Sequence, residues 1–173
     1  MPAREPSPTP AAARRRVLAL LQADHRAIAA AFAAVEALPH ATSPESMRPL
    51  IDAALALLER HARMEEDAFY PAIRPLAGER VDEAEVEHAS MASLVAALRS
   101  GGPADPKYVA RFKVLGEYQR HHAAEEQAGL FTRLARAALP WVEIEARIAA
   151  RHPPPAARKA PARKRRPPGD QKL

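Results

Sequence analysis

The sequence predicts an all-α protein, an up-down-up-down four-helix bundle, and three observations carry that expectation. Along four separate stretches apolar residues recur at steps of three and four, the spacing that lines one face of a helix. No stretch alternates with a period of two over a useful length, so no strand is expected. The stretches are joined by short segments rich in Pro or Gly, and helices joined by short connections pack as antiparallel neighbours.

Helix one is expected over residues 12–38, with the stripe Leu18, Leu21, His25, Ile28, Phe32, Val35. Pro39 and the segment HATSP close it, leaving His40 in a loop with no face to belong to. Helix two opens with Ser43 as N-cap and Pro44 at the first helical position, where its missing N–H has no helical partner to lose. Its stripe is Ile51, Ala54, Leu58, His61, Glu65, Phe69. Pro71 is expected to kink or end this helix, because its ring clashes with the carbonyl four residues back. Pro75 and Gly78 then finish it.

Helix three, over 79–99, carries Val81, Ala84, His88, Met91, Val95 and Leu98. The turn SGGPADP follows, with Asp105 as cap and Pro106 opening helix four, which is expected to reach about Leu139. Its stripe is Tyr108, Phe112, Leu115, Gln119, His122, Glu126, Leu130, Leu134. Gly129, beside that face, is expected to let a neighbour approach closely. After Pro140 the segment WVEIEARIAAR forms a short amphipathic helix with Trp141, Ile144 and Ile148 on one side, expected to cross the bundle end.

The folded part is thus 12–151, between a Pro-rich lead (1–11) and a tail (152–173) that lacks apolar residues larger than Ala until its last position and is expected to be disordered. Charge is concentrated at the ends. Residues 1–16 hold four Arg against one Glu, and residues 151–173 hold eight Lys or Arg against one Asp. Of the formal net charge of +5, the body therefore holds about −5. The tail raises the alternative of nucleic-acid binding through its Lys and Arg side chains, yet no aromatic residue interleaves them, and a solvated tail is the favoured account. The early apolar run VLALLQA is too short to span a membrane and no small-residue cleavage site follows, so a soluble, cytoplasmic protein is expected. The absence of Cys excludes disulfides, thiolate metal sites and cysteine catalysis. Nor is there a nucleophile–base set or a phosphate loop, so any enzymatic activity would be redox chemistry at a metal.

Against that background the polar members of the stripes stand out. His61 and Glu65, four apart, share a face otherwise made of Leu and Ile, and a buried carboxylate is costly unless something positive pairs with it. One such pair is ordinarily a surface His–Glu contact. Here the pattern returns as His122 and Glu126, and each copy is preceded by a His that follows an acid, Asp24-His25 and Glu87-His88. The repeat alignment favours His122 over its neighbour His121. A twofold repeat of ligand-type residues points to two metal ions held between two helix pairs. At about 1.5 Å per residue the four His fall near one level of the bundle. Imidazole with carboxylate and no sulfur suits Fe, Mn, Zn or Cu. Six protein ligands leave open positions, for a solvent-derived bridge and for an external ligand. Asp24 and Glu87 themselves read as solvated or helix-pairing charges.

The order DH, HxxxEExxFYP, EHxxM, HxxxExxxLF resembles the hemerythrin-like (HHE cation-binding) family over residues 18–134. The resemblance implies a four-helix bundle with a non-haem di-iron centre. Its iron ligands would be His25, His61, Glu65, His88, His122 and Glu126, with both Glu bridging. It implies binding of O₂, NO or peroxide, in oxygen, iron or redox sensing, storage or stress protection. Oxygen-carrying members have one further His, at the position of Ala84. Glu85, Glu87 or His121 is a candidate to replace it. Thr132 stands where the first copy has Pro71 and is expected to remove a kink. A ferritin-like di-iron oxidase or peroxidase is the alternative, but it requires Glu-x-x-His on two helices, and only Glu85-x-x-His88 fits.

Overall fold

A computed structural model describes residues 9–152. Most of the expected lead and all but the first residue of the expected basic tail lie outside the described residues. The chain forms α1 (Pro10–Glu36), α2 (Pro44–Met64), α3 (Tyr70–Gly101), α4 (Tyr108–Glu125), the single turn α5 (Phe131–Leu134) and α6 (Trp141–Arg151), with a 3₁₀ turn at Gly102–Ala104. No strand occurs among the described residues. Four antiparallel rods make the bundle, and α6 packs along α1 and the turn Glu65–Phe69 that follows α2.

The expected cap of helix two forms: Ser43 Oγ accepts from the Ser46 amide at 3.3 Å with Pro44 at the helix start. That of helix four does not: α4 begins at Tyr108 rather than at Pro106, with Lys107 at its N-cap and no side-chain cap bond, and Asp105 Oδ1 accepts from the Lys107 amide at 2.8 Å in the turn before it. At the N-terminus α1 starts at Pro10, capped by Thr9, two residues earlier than expected, and Ala13 and Val17 rather than Leu18 take the inner positions before Leu21. Gly102, at φ 59°, supplies the left-handed turn between rods three and four.

The larger departure lies after each His-x-x-x-Glu. Both helices widen there into a π-turn, Glu65–Phe69 and Glu126–Leu130, in which the Tyr70 amide donates to the Glu65 carbonyl and the Phe131 amide to the Glu126 carbonyl. A turn with one residue more shifts the buried stripe by one position. Consecutive large residues, Phe69 with Tyr70 and Leu130 with Phe131, therefore both face inward. The second π-turn forms without any proline, so Pro71 is not its cause; Thr132 occupies that place and its Oγ1 donates to the Gln127 carbonyl at 3.3 Å. Pro71 has a different consequence. Lacking an N–H, it leaves the Asp67 carbonyl free, and Arg151 of α6 donates to that oxygen at 2.7 Å. The reversal expected at Pro71–Gly78 falls at Ala77, whose φ of −141° and ψ of 33° break the helix. Helix four ends at Leu134, five residues short of the expected position. A Cβ at Gly129 would meet no neighbour, and the close approach is instead at Gly116, where a Cβ would come within 2.9 Å of the Phe32 ring of α1.

Two apolar layers fill the bundle. One, around Leu21, Phe69, Ile73, Val81 and Leu134, joins Trp141, Ile144 and Ile148 of α6. The other, around Ile28, Phe32, Leu55, Val95 and Phe112, fills the opposite end. Each such side chain contributes about 1.5–3 kcal/mol on burial. Between them lies a polar layer: among the described residues the buried polar ones are His25, His61, Glu65, His88, Gln119, His122 and Glu126. Six of the seven are the expected ligands. Although α1 is long and apolar enough to cross a membrane by length and composition, its inner face, His25 included, is packed into the bundle.

Candidate metal centre

Each rod brings one His to the central layer, and the π-turns begin on the two Glu. The result is two imidazole pairs separated by a carboxylate. Glu65, fully buried, lies 3.3 Å from His61 Nε2 and 4.0 Å from His25 Nε2 through Oε1. Its Oε2 lies 3.5 Å from His88 Nε2 and 4.0 Å from His122 Nε2. Glu126 Oε2 is 3.3 Å from His25 Nε2 and 3.7 Å from His122 Nε2, so it too reaches from one pair to the other. Two overlapping donor groups result, His25–His61–Glu65–Glu126 and Glu65–His88–His122, all buried.

The outward ring nitrogens are held by a repeated set of partners. His88 Nδ1 bonds Glu66 Oε1 at 2.8 Å and His122 Nδ1 bonds Glu87 Oε2 at 2.7 Å. His61 Nδ1 faces Asp24 Oδ2 at 3.8 Å, and His25 Nδ1 faces the Gln127 amide at 3.3 Å. The acid before each early His thus serves the His of the next rod, and the residue after each Glu serves the early His of the other half. Asp24 and Glu87 are therefore not merely solvated charges. The rule that orienting partners come from another element is obeyed, but the pairing crosses rods in a way that neighbours in sequence conceal.

Protonation makes the case for a cation. Carboxylates accept hydrogen bonds, so with Glu66 and Glu87 ionised the Nδ1 atoms of His88 and His122 must carry the protons. A neutral imidazole then has only a lone pair at Nε2. The two Nε2 atoms are 3.1 Å apart, lone pair facing lone pair unless a positive charge lies between them. Buried side-chain atoms with no hydrogen-bond partner include His25 Nε2, His61 Nε2, Glu65 Oε1 and Glu126 Oε2, all facing the same space. Burial pushes the His61 imidazolium down to about 4, with His25 adding to the shift, and burial and the charge of His122 lower His88 as well. His61 and His88 are thus ready to donate lone pairs. Glu65 is pushed well up by burial and by the charge of Glu126. Burial acts the same way on Glu126, but the nearby imidazoles of His25 and His122 and the hydrogen bond from Tyr70 outweigh it and hold that carboxyl low. The donor set fits a metal on these grounds: orphaned buried atoms, opposed lone pairs, and one carboxylate driven toward a proton for want of a cation.

None of the three candidates to replace the absent imidazole at Ala84 turns inward. Glu85 pairs with Arg74 outside the bundle, Glu87 stands behind His122, and His121 is 68% exposed beside Glu125. The polar group at this side of the centre is Tyr70, which the sequence pattern places among the apolar residues. Its buried hydroxyl donates to Glu126 Oε1 at 2.8 Å and lies 3.4 Å from both Glu65 Oε2 and His88 Nε2. Burial, then the charges of Glu65 and Glu126, raise its pKa and keep it protonated. The signal is present in the repeat: Tyr70 matches Phe131, and a hydroxyl buried where the other copy has none needs a partner.

Fold and donor set together define a metal-binding helical bundle. Residues 16–134 match the family model described as Hemerythrin HHE cation binding domain, and the chain belongs to that family. No curated protein and no solved structure matches it.

Proposed function

We propose that the chain is a non-haem di-iron protein that binds O₂, NO or peroxide and serves in oxygen, iron or redox sensing, storage or stress protection. The observation that carries this reading is the position of Glu65, with one oxygen toward His25 and His61 and the other toward His88 and His122. That division suits a carboxylate shared by two ions. On this reading His25 and His61 would hold one iron and His88 and His122 the other, with Glu65 and Glu126 placed to be shared between them. Iron so bound would supply an open position for a small ligand and one-electron redox chemistry. The chain's own residues do the rest. Glu66, Glu87 and Asp24 fix the ring orientations, the apolar layers exclude bulk water, and Tyr70 keeps a proton at the hydroxyl that orients Glu126. Small ligands are favoured by the space available: the opening beside Ala84 and Glu126 has a volume of about 20 Å³, room for one or two non-hydrogen atoms. The packed inner face of α1 supports action in the cytoplasm rather than at a membrane.

Anaerobic loading with Fe(II), metal analysis, and visible spectra before and after O₂ or nitric oxide test the proposal. Two irons per chain with a spectral change on gas addition is the expected result. Protein that takes up no iron under reducing conditions, with a thermal midpoint indifferent to chelators, overturns it. Reversal on degassing separates carriage or sensing from peroxide turnover.

A further inference from the structure

A third group of metal-type side chains lies outside the buried centre, where α3 meets α4. Glu87 comes from α3, and His121 and Glu125, four apart, from α4; their ligating atoms lie within 4.8 Å of one another. His121 Nε2 is 3.3 Å from Glu125 Oε1 and 3.9 Å from Glu87 Oε1. An exposed His–Glu pair at this spacing is ordinarily a weak helix-surface contact. Three observations set this group apart.

Among the described residues neither Glu87 nor Glu125 has a Lys or Arg partner; the surface imidazole of His121 faces both carboxylates, and the one other partner is His122, behind Glu87. Such a set attracts a cation. Next, Glu87 divides its two oxygens: Oε2 accepts from His122 Nδ1 inside the bundle while Oε1 faces His121 outside. One carboxylate thus touches both the surface group and a buried imidazole. Finally, the rim lies between two openings. A cleft of about 430 Å³ lined by Val86, Glu87, Glu117, Tyr118 and His121 adjoins it on the solvent side. On the inner side the opening of about 20 Å³ runs past Ala84, Glu87 and Glu125 to Glu126. The Oε2 atom of Glu126 is buried and without a hydrogen-bond partner. The small side chain at Ala84 leaves this passage next to the buried carboxylate.

We infer that Glu87, His121 and Glu125 form a surface site for a divalent transition ion, from which the ion passes to the buried donors through the opening beside Ala84. The delivery role rests on the buried centre binding metal; the surface site itself does not. Carboxylates recur along the route, from Glu117 at the cleft to Glu126 within, with the one cation at the inner opening, Arg80, paired to Glu83, and they suit a cation that must dissociate again. Two exposed ligands and the half-buried Glu87 hold an ion loosely enough to release it to a buried set with more donors.

The test uses ion-free full-length protein and its His121→Ala and His121→Ala/Glu125→Gln variants, which alter exposed positions and leave every inward-facing donor in place. Calorimetric titration with Mn²⁺ should show one additional, weaker ion in the wild type that both variants lack. Anaerobic Fe²⁺ uptake, quenched with chelator at successive times, should slow severalfold in the variants and reach the same final content. Equal stoichiometry in wild type and variants overturns the surface site while leaving the buried centre intact. Loss of the weak ion with an unchanged uptake rate overturns delivery alone. A weak ion lost with His121→Ala, in a protein that binds no tight ions, overturns both delivery and the di-iron reading and leaves only the surface site.

Discussion

The two halves of the bundle carry the same donors at the same spacing, yet they are not equivalent. In the first, Glu65 is driven toward its neutral form; in the second, Glu126 is held ionised by His25, His122 and the Tyr70 hydroxyl. At matching positions Tyr70 tilts over His88 with ring centres 5.5 Å apart, whereas Phe131 stacks on His25 at 5.8 Å and has no hydroxyl to offer. Leu21 lies one turn before His25 and is fully buried, while Ala84 lies one turn before His88 beside an opening. Repetition supplies the ligand atoms. The departures from it, all on the side facing the second pair, decide where a proton sits and where the centre is open.

The largest effect should come from exchanging one carboxylate in each half. Glu65→Gln is expected to abolish tight metal binding, read by metal analysis after dialysis, and at the same time to stabilise the ion-free protein by about 1–2 kcal/mol, since a buried carboxylate without its cation is removed. Glu126→Gln should also abolish tight binding but destabilise the ion-free chain by a similar amount, because the carboxylate it removes accepts from the Tyr70 hydroxyl at Oε1 and lies 3.3 Å from the His25 imidazole at Oε2. Urea unfolding of ion-free samples gives the sign. If both variants shift stability the same way, the halves are electrostatically alike and the comparison fails.

Next in size is a pH dependence. His61 titrates at about 4 in the folded chain against 6.5 for an unperturbed imidazole, so the unfolded chain takes up the proton first as pH falls. Its contribution is therefore complete above about pH 6.5 and is lost progressively down to about pH 4, a change of roughly 3 kcal/mol. Glu65 acts in the opposite sense, because its raised pKa favours folding at low pH. Ion-free Glu65→Gln protein isolates the histidine effect and should lose stability steeply on acidification. A flat profile for that variant would mean that the imidazoles are not held neutral.

A smaller effect is expected from Tyr70→Phe, which makes the two halves chemically alike at this position. The hydrogen bond to an ionised Glu126 should be worth about 1.5–3 kcal/mol. The variant should lose that much in the ion-free state and should still take up metal. Wild-type stability in the variant would remove Tyr70 from the account of why Glu126 stays charged.

Much of this is legible in the chain. The stripes define which face of each rod turns inward, and the repeat of His-x-x-x-Glu after an acid and a His picks out six residues of the buried polar layer. What stays hidden depends on contacts across rods. Glu87 precedes His88 yet orients His122, and Glu66 follows Glu65 yet orients His88; sequence adjacency suggests neither pairing. A period of 3.6 residues per turn masks the π-turns, although the adjacent pairs Phe69-Tyr70 and Leu130-Phe131 announce a slip in the stripe. Pro71 draws attention to a kink that Ala77 makes instead, and its real effect, the Asp67 carbonyl left for Arg151, involves a residue 84 positions later in the chain.

The smallest expected effect concerns the one neutral member among the four groups behind the imidazoles. Asp24, Glu66 and Glu87 are carboxylates; Gln127 is an amide. When His25 Nε2 gives its lone pair to a metal, Nδ1 must donate, and the amide must present its oxygen rather than its nitrogen to receive that proton. A neutral acceptor raises ligand basicity less than a carboxylate does. Gln127→Glu makes the outer set uniform. It should strengthen metal binding at the His25–His61 pair, seen as a slower loss of that ion to chelator, and change ion-free stability by no more than about 0.5 kcal/mol. Unchanged release would mean that the repeat tolerates either residue there and that the asymmetry of the centre lies wholly in Tyr70 and Ala84.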